Sequence, residues 1–125
     1  MNAGDVFIFP EAVDDHHWTI ISDPLANPER IVIVRFVTWK EWSDHACELQ
    51  AGDHPFIKHL TCVDYPESRE VTLDMLNRLR DAGRLKLKSP LPPEILQRIR
   101  DRAIDSRIPS GHFQILREQG LIKLK

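Results

Sequence analysis

Apolar residues alternate with polar ones, or run together in short blocks, through the first 65 residues; beyond them the spacing changes to three and four. The first regime predicts strands and the second helices, because side chains repeat every two residues on a strand and every 3.6 on a helix. Asp5–Phe9 is a short apolar strand stopped by Pro10, and His17–Ser22 is a second, closed by the turn pair Asp23-Pro24. Arg30–Trp39 is the strongest strand. Its β-branched run is nearly unbroken, which predicts cover on both faces. Cys47-Glu48-Leu49 reads as a bridge, and Phe56–Tyr65 as a fifth strand ended by Pro66. Leu73, Met75, Leu76 and Leu79 then mark a helix with Thr72 as N-cap and Gly83 as stop. Arg84–Lys88 alternates as an edge strand guarded by lysines. Pro92-Pro93 opens a second helix with the stripe Ile95, Leu96, Ile99, Ala103 and Ile104; Ser110 caps a third, Phe113–Gln119, ended by Gly120.

At 125 residues, 42% of them hydrophobic, the chain is expected to form one domain, with residues 1–70 β-rich and 71–125 helical and packed on them. No apolar run reaches the roughly 18 residues that span a bilayer. The start, Met1-Asn2-Ala3-Gly4-Asp5, has neither a basic-then-apolar leader nor a glycine second, so a cytoplasmic chain is expected, without membrane attachment. Cys47 and Cys62 are then reduced, buried thiols. The net charge of −2 hides a balance of −8 over residues 1–70 and +6 over 71–125. A basic helical surface, with Arg98, Arg100 and Arg102 on one helix, is therefore a candidate contact for a partner. A pI near 6.3 argues against indiscriminate nucleic-acid binding.

The densest polar cluster is Gly52-Asp53-His54-Pro55-Phe56-Ile57-Lys58-His59. Imidazoles titrate near neutrality, so two of them serve as general base and general acid, and an ammonium stabilises charge on a phosphate. His54 and His59 are the candidate acid/base pair, and Lys58 the phosphate contact. If Phe56–Tyr65 is a strand, Lys58 and His59 point to opposite faces. A second cluster, Asp14-Asp15-His16-His17-Trp18, follows a loop of about seven residues. His17 is the auxiliary catalytic candidate, with Asp14 or Asp15 able to orient its ring. On a strand, His16 and His17 diverge, so one of them at most reaches a given site. Asp53, His16, Thr38 and Trp39 complete the candidate substrate surface. Of Trp39 and Trp42, one is expected in the core and the other as a platform on which a base or partner stacks. No H-E-x-x-H, paired C-x-x-C, Gly-rich phosphate loop or G-x-S-x-G elbow occurs, so neither metal nor cofactor is expected.

Gly4-Asp5-Val6, a loop, and then His17-Trp18-Thr19-Ile20-Ile21-Ser22-Asp23-Pro24 resemble the opening of the MazF/PemK-like toxins, over residues 4–65. The resemblance implies a small, SH3-like, mostly antiparallel β-barrel carrying two or three C-terminal helices, hence an α+β fold. It also implies a dimeric, sequence-specific endoribonuclease of a bacterial toxin–antitoxin module, with RNA as substrate and an antitoxin protein as partner. Members carry an arginine in or beside the first loop and a Thr or Ser after a later strand. Here the first loop, Pro10–His16, has no arginine, and Thr38 is the candidate hydroxyl. The expected activity is therefore metal-independent RNA cleavage by histidine. The rival expectation is a non-enzymatic SH3-like module that contacts a protein or nucleic acid. A metal-dependent hydrolase is a third and weaker class.

Overall fold

The β-branched block folds as expected: in the computed structural model, which describes residues 1–13 and 16–123, strand β3 runs Ile31–Thr38. It is flanked by β2 (Trp18–Ile20) and by the long β5 (Thr61–Val71). With β1 (Val6–Ile8), β4 (Glu48–Leu49) and β6 (Lys86–Lys88) the order is β4-β5-β3-β2-β1-β6, and the pairings are antiparallel. The chain is thus α+β. The two end strands are not paired with each other, so the sheet is open where a closed barrel was expected.

Pleat alternation sends Val32, Val34 and Phe36 to one face of β3 and Ile31 and Ile33 to the other. The first face packs into the larger core, under α2 (Pro93–Arg102), a 3-10 turn (Ala103–Asp105) and α3 (Ser110–Glu118). The second face meets Leu76, Leu73 and Leu79 of α1 (Leu73–Asp81). Both faces therefore carry helix, the second over Ile31 and Ile33. The caps follow the sequence: the Thr72 side chain accepts the Met75 N–H at 3.1 Å, and Gly83 takes a φ of +74° just past the helix end. β6, from the mostly helical part, pairs with β1, so the two parts of the chain share one sheet.

Two boundaries differ from expectation. The fifth strand begins at Thr61 rather than Phe56, and it continues through Pro66 to Val71. Pro66 is tolerated because the ladder is already broken there. Residues 65–68 of β5 bulge between the pairs Ile33↔Arg69 and Arg35↔Asp64, and a residue in a bulge has no N–H bond to lose. Ile104 leaves the expected apolar stripe and is half exposed, because the α-helix tightens into the 3-10 turn at Ala103 and rotates it outward.

The same tightening has a structural use. The Ala103 N–H turns to the Arg100 carbonyl, and the Ile99 carbonyl accepts instead the buried Tyr65 hydroxyl at 2.6 Å. Tyr65 thereby ties the bulge of β5 to the end of α2. Gly4 locks the opposite margin. At φ +84° its N–H donates to the Ile20 carbonyl at 2.8 Å, and its carbonyl accepts from Leu91 at 2.8 Å. A Cβ there would press on Leu96 at 3.3 Å, so a glycine suits the position on both counts. Tyr65→Phe is expected to fold but to lose about 1–3 kcal/mol, the cost of an unsatisfied buried carbonyl. Urea denaturation followed by circular dichroism measures this; an unchanged midpoint would show that the bond adds nothing to stability.

Candidate functional site

The α1 cover on the second face of the sheet stops short. Ile31 and Ile33 lie under it, but Arg35 and Val37, next on the same face, reach solvent and line clefts. The smaller cleft, about 240 Å³, is walled by His16, His17, Val37, Thr38, His59 and Thr61. Four of the eight sequence-derived candidates therefore share one hollow: His16, His17, His59 and Thr38. Both neighbouring histidines reach it because they precede β2, where pleat alternation does not yet apply. Asp14 and Asp15, the candidate ring-orienting carboxylates, lie outside the described residues.

Backbone carbonyls set two of the rings. His16 Nδ1 lies 3.2 Å from the Phe36 carbonyl and His59 Nδ1 lies 3.3 Å from the Leu60 carbonyl. A carbonyl only accepts, so each Nδ1 carries the proton, and in the neutral ring the lone pair is on Nε2. His17 lies flat on Phe56, with ring centroids 4.3 Å apart and an interplanar angle of 8°. Phe56 also meets Phe36 at 4.9 Å and His54 at 4.6 Å, so one loop phenyl supports the cleft wall.

The other four candidates are held elsewhere, because residues 50–60 form a loop and not the start of a strand. His54 is 3% exposed. Its Nε2 donates to the Ser89 carbonyl at 2.6 Å and its Nδ1 accepts the Phe56 N–H at 3.2 Å. Both ring nitrogens are bonded to backbone, so this histidine anchors the loop. Asp53 accepts from the Gln50 N–H at 2.8 Å and from Arg98 at 3.4 Å, tying the turn to α2. Lys58 and His54 share a separate hollow, lined also by Gly52, Pro55 and Ile57. Trp39 donates through Nε1 to Glu48 and stacks on His45 at 4.9 Å.

A wider groove of about 530 Å³ adjoins the histidine cleft and shares His16, Val37 and Thr38 with it. Its rim holds Lys40, Trp42 and Arg107. Trp42 is 78% exposed and faces solvent, whereas Trp39, expected in the core if Trp42 is the platform, is only half-buried. Lys40 and Arg107 carried no local sequence signal, since Arg107 arrives from the turn before α3. A buried carboxylate brings it there: Asp44 accepts the Arg107 N–H at 2.7 Å and the Ala46 N–H at 3.0 Å. Arg35 is committed to Asp64 at 2.8 Å.

Among the described residues, no three His, Cys, Asp or Glu side chains gather closely enough to hold a metal ion, and no helix is long and apolar enough to cross a membrane. Comparison with known proteins finds no matching family model, no matching curated protein and no matching solved structure.

Cys47 and Cys62 are unpaired and buried, and desolvation pushes each thiol up to about 11. Unfolding returns them to the ordinary value near 9. Their contribution to stability is therefore complete below about pH 9 and falls as the pH rises through 11. Two results are expected: the urea midpoint declines over that window, and a disulfide reagent at pH 8 labels the thiols only in urea. Rapid labelling of the folded protein would contradict their burial.

Proposed function

We propose that this chain is a metal-independent endoribonuclease whose active site is the cleft of His16, His17 and His59, acting as the toxin of a bacterial toxin–antitoxin module. The observation that carries the reading is the convergence of three imidazoles, from two separate segments of the chain, on one hollow beside the Thr38 and Thr61 side chains. In the proposed reaction one imidazole, His59 through Nε2, takes the proton from a ribose 2′-hydroxyl. The 2′-oxygen attacks the adjacent phosphorus, the bond from phosphorus to the 5′-oxygen breaks, and His17 gives that oxygen a proton. The products are a 2′,3′-cyclic phosphate and a 5′-hydroxyl, so every atom and proton is accounted for without a metal. His16, held by the Phe36 carbonyl, faces the phosphate from the same wall, and Thr38 offers a hydroxyl to it.

The toxin reading draws support from the Gly4-Asp5-Val6 opening and the strand that follows it. The six strands are taken as an opened form of the SH3-like barrel that such toxins use; the bend of β5 at its bulge and its pairing with both β3 and β4 favour this. On this reading the protein is cytoplasmic and dimeric, and an antitoxin protein covers the cleft.

Single-stranded RNA incubated with the protein in excess chelator is expected to be cleaved. His59→Ala and His17→Ala should each lower the rate by roughly 10²-fold or more, while Lys58→Ala, in its separate hollow, leaves it unchanged. Intact RNA with the native protein, or equal rates in the histidine variants, would overturn the assignment.

A further inference from the structure

We infer that the groove beside the histidine cleft is a nucleobase subsite: Trp42 stacks a base of single-stranded RNA next to the scissile phosphate, and Lys40 and Arg107 hold the flanking phosphate. The inference rests on the ribonuclease reading for its choice of ligand, but its geometry is separate. The three tryptophans are treated differently by the fold. Trp18 is buried, with the Arg69 guanidinium 5.1 Å from its ring centroid. Trp39 is bonded to Glu48 and stacked on His45. Trp42 keeps 78% of its surface in water, at the rim of a groove that runs into the cleft.

Its loop is not loose. The Ser43 hydroxyl accepts the Lys40 N–H at 3.1 Å, the Lys40 carbonyl accepts the Ser43 N–H at 3.1 Å and His45 Nε2 at 2.7 Å, and the Trp42 carbonyl accepts from Arg107 at 3.4 Å. A rigid turn that presents a bare indole loses little entropy when a flat ring lands on it. Charge selects the ligand. Of the carboxylates in the groove, Asp44 is spent on two backbone N–H groups and Asp64 on Arg35. Lys40 faces the groove with no carboxylate ion pair among the described residues, and Arg107, whose Nε lies 3.9 Å from Asp44 Oδ2, keeps most of its side chain in water to meet a polyanion; Glu67 is the remaining carboxylate of the lining. Two cations beside an indole suit a nucleotide, whose base has a π-face and whose linker is a phosphate. The volume of about 530 Å³ fits a ligand of that size.

The test uses a fluorescently labelled 2′-O-methyl hexanucleotide, which has no attacking hydroxyl and so reports binding alone. Anisotropy titrations of the whole chain compare native protein with Trp42→Ala, Trp42→Phe and a Lys40→Ala, Arg107→Ala pair. Trp42→Ala is expected to weaken binding roughly tenfold and Trp42→Phe to recover most of that. The charge variant should flatten the salt dependence, by roughly 0.7 in log–log slope for each phosphate it no longer neutralises. A Trp42→Ala protein that binds like the native one, or a duplex of the same sequence that binds as well as the single strand, would overturn the subsite. The two readings fail separately. Tryptophan-dependent binding with natural RNA left uncut would retain the subsite and remove the catalysis. RNA cleavage with KM unmoved by Trp42→Ala would do the reverse.

Discussion

Strand β3 must be buried on both faces, and helix α1 is too short to do the whole of one of them. A helix of nine residues is about 13 Å long, whereas a strand of eight spans about 26 Å. The helix therefore covers Ile31 and Ile33 and leaves Arg35, Val37 and Thr38 at a margin open to water. On the other face α2 and α3 complete the cover. This mismatch between element lengths creates the groove. Arg35 needs no unusual conformation to reach solvent, because it continues the face on which the isoleucines are buried, and Thr38 reaches it as the last, exposed residue of the strand.

The far wall of the hollow is a loop, and a loop must be held before it can position anything. Here a structural histidine holds it. His54 uses one ring nitrogen on the Ser89 carbonyl, beyond β6, and the other on the Phe56 N–H. The Phe56 ring then lies against His17, Phe36 and His54 itself. On the opposite rim Asp44 has the same office, bonding Arg107 and the turn that displays Trp42. In both places a buried polar side chain is satisfied by backbone, which makes it an anchor.

Much of this was legible in the sequence because it is local. The β-branched run of β3, the lysine-flanked edge strand β6, the Thr72 cap and the stops at Gly83 and Gly120 announce themselves within a few residues. The open ends of the sheet were not legible, since closure depends on contacts between β4 and β6, distant in the chain. The start of β5 was misplaced because Phe56 and Ile57 are apolar for a loop; Ile57 is buried in the larger core and Phe56 packs partly buried against it, neither as a rung of a ladder. The site divided along the same line. His16, His17, His59 and Thr38 meet, but the richest cluster in the sequence, residues 53–58, is largely scaffolding. Arg107 could not be assigned to the groove at all, as only the fold carries it across to Asp44.

The proposed chemistry leaves a mark on its product that attack by an external water at this cleft would not leave. Phosphorus NMR of a short RNA digested by the purified protein in excess chelator reads it directly. A 2′,3′-cyclic phosphate resonance is predicted to appear with the native protein and to be absent with His59→Ala; a 5′-phosphate terminus, or no new resonance from the native protein, would contradict the histidine mechanism.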